Sequence, residues 1–285
     1  MSGDEAPARG EAGADRDPHA DSDPNGPRDV VVVGGLSAAV FTARQGLDTL
    51  VIDPGESLLR RNAHLENFPG FPLGVNARQL LDLLGEQAGD AGADRLDARA
   101  TRVSAVGSGD ADGPDPGDDI RFVVEVDRGD ANDHGDANSR GDAIRTRYVV
   151  AATKNEVGYL ADVDGIGILD RGKSYVDTDE RGRTGVDGLY AAGRLAEKPH
   201  QAAVCAGHGA EVGVTILEAD DRGFYHDWVA PEGYFTDRGR QVPPGCEEIG
   251  DGERREREEE SREAIRERFA APHPDPQETH PSLEE

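Results

Sequence analysis

Gly34 and Gly35 close an apolar run, Val30 to Val33, and open a small-residue stretch that leads to a second apolar run ended by Asp53. Each residue type suits one piece of nucleotide chemistry. Glycines let the backbone turn tightly, and a helix begun directly after them points its unpaired N–H groups and positive dipole end at a pyrophosphate. A carboxylate ending the next strand is placed to accept hydrogen bonds from a ribose. The pattern is the opening of a dinucleotide-binding βαβ unit, but an incomplete one. The phosphate-binding fingerprint asks for G-x-G-x-x-G, whereas this chain passes from Gly34-Gly35 to Leu36-Ser37-Ala38-Ala39. Asp53 also fits a plain strand-end turn before Pro54-Gly55; the ribose contact is its expected role.

Few other residues assemble a site. Cys205 and Cys246 lie 41 positions apart with no CxxC, so neither a disulfide scaffold nor a redox dithiol is read from them. Cys205 sits on a small-residue stretch and reads as a buried apolar contact. His64 and His208 are assigned no catalytic role. Gly129-Asp-Ala-Asn, Gly135-Asp-Ala-Asn and Gly141-Asp-Ala repeat every six residues. That period matches neither an EF-hand loop nor a nonapeptide calcium repeat, so a solvated hairpin tip is expected and no metal.

The 285 residues carry 31 Lys+Arg against 58 Asp+Glu, a net charge of −27. Such a surface repels a nucleic-acid backbone and an anionic membrane, and neither is an expected partner. Only three lysines occur, Lys154, Lys173 and Lys198. An acidic, lysine-poor surface stays hydrated in concentrated salt, so a halophilic, cytoplasmic protein is expected. No window reaches the roughly 18 apolar residues of a membrane span, and Met1 to Arg28 lacks the regions of a signal peptide.

Residues 1–28 hold scarcely a large apolar side chain and are expected to be disordered. Residues 29–217 read as one domain. Strands are expected at Val30 to Val33, Thr49 to Ile52, Ala98 to Val106, Ile120 to Val126, Ile144 to Ala152 and Gly188 to Gly193. Helices are expected at Ser37 to Gln45, at Ala77 to Ala88, packed on the sheet, and at Ala202 to Leu217, interrupted by Gly207, Gly209 and Gly213. Residues 218–285 form an extension with an aromatic segment (Phe224, Tyr225, Trp228, Tyr234, Phe235), a charged helix over Asp251 to Phe269 and a loose end from Pro272. The aromatics suggest docking, either on this chain or on a second copy, with a homodimer contact slightly preferred.

Three blocks in this order resemble the flavin-binding half of the thioredoxin reductase family of FAD-dependent pyridine nucleotide-disulfide oxidoreductases. They are the βαβ opening, Glu66-Asn-Phe-Pro-Gly-Phe-Pro72 with the helix after it, and Thr184-Gly-Val-Asp-Gly-Leu-Tyr-Ala-Ala-Gly193 with Lys198-Pro-His-Gln-Ala202. The resemblance covers about residues 29–217. It implies an α/β FAD/NAD(P)-binding Rossmann-like domain with a central parallel sheet and a small antiparallel β element between residues 98 and 150. It implies FAD as cofactor, with Asn67 and Gly70 beside the flavin ring, Gly193 at the ribityl chain, and His200, Gln201 and Ala202 at a helix start facing the pyrimidine edge. A surface helix cap is the competing role for His200.

The departures carry weight too. Against the resembling family, about four residues are missing after Gly35. Arg194 stands where an aspartate is usual; it either pairs with the pyrophosphate or marks decay of the site. Between Thr153 and Gly188 only about 35 residues remain, against the ~100 of a separate NADPH domain. The expected function is a thioredoxin-reductase-like oxidoreductase reduced to its flavin module, with any NAD(P)H donor external and a redox partner or small-molecule substrate as acceptor. The alternative is a flavin-free relative acting as a binding or regulatory protein.

Overall fold

β-branched runs make the centre of this molecule. The computed structural model describes residues 26–106, 119–129 and 142–279. Val30 to Val33 lie in β1 (Arg28–Val33), which pairs in parallel with β2 (Thr49–Ile52) on one side and with β6 (Ala143–Ala151) on the other. β2 continues in parallel to β3 (Asp94–Leu96), a strand the sequence pattern did not reveal. The far side of β6 is shared. Its first half pairs antiparallel with β5 (Phe122–Asp127), which pairs with β4 (Arg99–Ala105), and its last residues pair in parallel with β9 (Leu189–Ala191). The order is β3-β2-β1-β6-β5-β4 with β9 beside β6. This is the expected central parallel sheet with a small antiparallel element. Of residues 1–28, expected to be disordered, 1–25 lie outside the described residues, whereas Arg28 is ordered, buried in β1 and paired with Asp48 and Asp94; the acidic repeat lies outside the described residues over 130–141.

Both faces of the parallel strands are covered, as their unbroken apolar runs require. Val31, Val33, Leu50 and Ile52 face a core with Phe122, Val124, Leu160 and Leu195. Val30, Val32 and Val51 face α1 (Leu36–Arg44) and α3 (Ala202–Ala219) through Ala38, Ala39, Val212 and Ile216. α2 (Ala77–Asp90) does not lie flat on the sheet as expected. Ala77 and Leu80 pack with Leu65 and Val75 of the preceding loop, and only Ala88 reaches the helical face of the sheet. A β-hairpin unread in the sequence, β7 (Ile168–Asp170) and β8 (Ser174–Val176), precedes β9.

α3 is one unbroken helix, correcting the expectation that its glycines interrupt it. Gly209 and Gly213 instead let α3 press on α1. A Cβ at Gly213 would lie 2.8 Å from Phe41 Cβ and 3.0 Å from the Ala38 carbonyl, and one at Gly209 would lie 3.3 Å from Ser37 Cβ. Close packing repays the entropy that glycine costs a helix.

The extension folds back on the domain. Arg222 reaches Asp29 and the Gly46 carbonyl, and Arg44 pairs with Asp227. β10 (Trp228–Pro231) and β11 (Cys246–Ile249) form a parallel pair that the sequence did not announce. Trp228, Tyr234 and Phe235 pack edge to face on one another, whereas Tyr225 is exposed. α4 (Asp251–Arg268) is exposed along its length, and its end docks through Phe269 against Phe71 and Arg268 against Glu86. The segment after it is not loose as far as residue 279. His273 meets Asp82, Gln277 donates to the Arg61 carbonyl and the Glu278 N–H to that of Arg60.

The glycine roles separate cleanly in one helix. We expect Gly213→Ala to lower stability by about 1–3 kcal/mol through overpacking. Exposed Gly207, with nothing within 4 Å of an added Cβ, should gain about 0.5–1 kcal/mol as alanine. Denaturant melts of the two variants check both signs.

Candidate functional site

The carboxyl ends of β1, β2, β6 and β9 share one edge of the sheet, and the chain leaves β1 and β6 toward opposite sides of it. A crevice at such a switch of strand order is where open α/β sheets bind ligands. Gly34 turns out of β1 with φ +83°, a left-handed conformation suited to glycine. Gly35 is required by packing, since a Cβ there would lie 2.9 Å from Ala152 Cβ. Both glycines therefore join strand to helix, and α1 starts at once from Gly35 with no side-chain cap. α3 likewise has no side-chain cap at Gln201. The N–H groups of both first turns are available to an anion or an electron-rich ring edge. α2 contrasts with them, because Asn76 caps its Arg78 and Gln79 N–H groups.

Asn67 and Gln201, 134 residues apart, are brought together by a 2.8 Å hydrogen bond from Asn67 Nδ2 to Gln201 Oε1. Gly70 lies in the same loop at φ +97°, beside a shallow cavity of about 390 Å³ lined by Glu66 to Pro72. Ala202 packs against the Leu65 and Leu80 cluster, and His200 is exposed just before it. Asp53 is engaged locally: Oδ1 accepts from the Gly55 N–H at 2.9 Å and Oδ2 from Arg95 at 3.0 Å. Its geometry is that of the strand-end turn residue.

Gly193, at φ +61°, begins the turn after β9, and its buried N–H donates to His208 Nδ1 at 3.0 Å. His208, given no role from the sequence, thus fixes the turn that carries Arg194. Its Nε2 is buried with no partner in good geometry, although the Glu180 carbonyl is near enough to favour a proton there. Burial, with the Lys198 ammonium adding to it, holds the imidazolium below its ordinary range. Arg194 donates to the Tyr175 hydroxyl and, at 3.1 Å, to the Lys198 carbonyl. Cys205 touches this turn from α3; it is partly exposed rather than fully buried, and burial still pushes its thiol up.

Lys154, three residues past the end of β6, is a cation that no sequence motif singles out. It adopts φ +65°, disfavoured for any residue but glycine. Lys154 and Lys173 line one cavity of about 480 Å³ with Thr153, Asn155, Glu156 and Ser174. Burial, then Lys173, Arg61 and Arg194, hold the Lys154 ammonium below its ordinary range. The signal was present in the sequence: a chain of net −27 keeps all its lysines between positions 154 and 198.

A thioredoxin reductase from Gloeobacter violaceus superposes with a TM-score of 0.52 at 16% identity, over 72% of this chain and 100% of that one. A thioredoxin reductase from Streptococcus pyogenes gives 0.54 at 12% identity, over 69% and 100%. The chain is thioredoxin-reductase-like in fold. In sequence, 72 residues are 38% identical to a thioredoxin reductase from Aquifex aeolicus. That stretch is 23% of this chain and 22% of that protein, so the sequence match spans about a fifth of the relative's length. No family model matches the chain. Within this thioredoxin-reductase-like frame, Gly34, Gly35, Gly193, Arg194 and Gln201 all lie at the ends of crevice strands or at the start of α3. No helix among the described residues is long and apolar enough to cross a membrane.

Two outcomes follow. With its folded pKa held below 6.5, His208 binds fewer protons folded than unfolded, so its contribution is complete above about pH 6.5 and is lost as pH falls. The melting temperature should drop through that window, and the drop should shrink in His208→Gln. Separately, Lys154→Gly should raise stability by about 1 kcal/mol by removing left-handed strain, while Lys154→Ala should not; urea melts compare them.

Proposed function

We propose that this chain is the flavin-binding module of a thioredoxin-reductase-like oxidoreductase and that it holds FAD along the crevice. The support is the pair of helix starts without side-chain caps, α1 and α3, which face that edge of a thioredoxin-reductase-like fold with the Asn67–Gln201 hydrogen bond at its side. The donor set suits the cofactor. Gly34, Gly35 and the first turn of α1 would take the diphosphate, Asn67 and Gly70 would flank the ring, and the N–H groups around Gln201 and Ala202 would stabilise negative charge on its pyrimidine edge. Asp53 would accept from a ribose hydroxyl through the lone pairs left beside its Gly55 and Arg95 bonds. FAD, when bound, supplies the redox chemistry; the protein supplies position and electrostatics. His208 contributes by holding the Gly193 turn beside the ribityl position. We further propose that the electron donor, NAD(P)H, and the acceptor come from partner molecules, and that the acidic surface adapts the chain to a salty cytoplasm.

Purification in high salt followed by titration of the apoprotein with FAD, read by flavin fluorescence quenching, tests the reading. We expect saturable binding at one site, weakened about tenfold, or about 1.4 kcal/mol, in Gln201→Ala, which removes the partner of Asn67. Colourless protein with no quenching would overturn the proposal in favour of a flavin-free binding protein.

A further inference from the structure

The basic groups of this chain are outnumbered by acids, and most arginines among the described residues stand within 4 Å of a carboxylate. Lys154, Lys173, Arg61 and Arg194 do not: none has a carboxylate partner within that distance among the described residues. They come from four separate places in the fold: the exit of β6, the β7–β8 hairpin, the loop before α2 and the turn after β9. Tertiary folding therefore gathers like charges with no described carboxylate within 4 Å of them. We propose that Lys154 and Lys173, which line the cavity beside the carboxyl end of β6, form an anion site for the phosphate or diphosphate group of a small molecule, with Arg61 and Arg194 adding to its positive field.

The cavity has room for such a group, and two of its lining side chains, Lys154 and Lys173, are ammonium donors. Glu156 is the one carboxylate in that lining, and its charge is also felt by Arg99 and Tyr159. Arg194 is held rigidly between Tyr175 and the Lys198 carbonyl, so its charge is preorganised rather than freely mobile. Lys154 keeps a side chain where the backbone favours glycine, a strain that an ammonium with a charged ligand would repay. Burial first, and then repulsion from the neighbouring cations, holds Lys154 and His200 below their ordinary ranges, and an anion would relieve the second of these. The site supplies the charge that the shortened glycine loop lacks, and in that respect it rests on the flavin reading when the diphosphate belongs to the cofactor.

Calorimetric titration of the full chain with inorganic pyrophosphate tests the proposal, with Lys154→Gly and Lys173→Gln made singly and together. Lys154→Gly suits the backbone, so retained melting temperature separates lost binding from lost fold. We expect wild type to bind with an affinity that falls as salt rises, and the double variant to bind about tenfold or more weakly. Equal binding by wild type and the double variant, or no binding by wild type, overturns it. Adding FAD identifies the source. Displacement of pyrophosphate by FAD supports the site as the cofactor's diphosphate cradle, and simultaneous binding supports it as the seat of a separate phosphorylated substrate. Pyrophosphate binding without FAD binding would sustain this site while removing the flavin reading. FAD binding without Lys154- and Lys173-dependent pyrophosphate binding would do the reverse.

Discussion

Close approach of backbone at the start of α1 is the constraint on which the rest of the molecule depends. Gly35 sits so tightly against Ala152 that a methyl group would collide, and Gly213 and Gly209 bring α3 equally near α1. These contacts hold β1, β6, α1 and α3 as one packed unit. Because protein interiors transmit strain instead of absorbing it, the starts of α1 and α3 are set by this packing. What faces the crevice is thus a by-product of how small residues allow two helices to lie on a sheet.

Charge is arranged with the opposite logic at the two ends of that sheet. At the amino ends of the strands, buried Arg28 meets Asp48 and Asp94, tying β1 to the turn before β2 and to β3. Asp220, buried after α3, accepts from Arg222 through Oδ1, and its Oδ2 lies 3.0 Å from Arg147 as an ion pair, off the line of a hydrogen bond. Burial opposes ionisation there, yet these donors outweigh it and hold the carboxyl low. Such buried charges need their partners, since removing one strands the other. At the carboxyl ends Asp53 pairs with Arg95, whereas Lys154 and Lys173 have no carboxylate within 4 Å among the described residues.

The extension after α3 is strapped to the domain rather than set apart from it. Arg222 and Asp227 bind β1 and α1 at one end, while Arg268, Phe269 and His273 return to α2 and the Phe71 loop at the other. Many of these are exposed ion pairs, each worth at most about 1 kcal/mol and less in salt. The apolar contacts of Phe224 with the Val212 and Ile216 cluster and of Phe269 with Phe71 are therefore the firmer part of the attachment, while Trp228, Tyr234 and Phe235 pack within the extension itself.

Local pattern alone determined much of this protein. The valine run, the glycine pair and the second apolar run specify β1, α1 and β2, because backbone freedom and side-chain periodicity act within a few residues. The three resembling blocks likewise pointed to a thioredoxin-reductase-like fold. The tertiary structure decided what depends on residues far apart in the chain. Short strands such as β3 and β10 exist only because neighbours supply their hydrogen bonds. The glycines of α3 are contacts and not breaks because α1 lies against them. Asp53 is spent on Gly55 and Arg95, and His208 on Gly193, pairings that no spacing announces. Lys154 and Lys173 come to line one cavity only when the exit of β6 meets the β7–β8 hairpin, because charge acts through space and a sequence records only order.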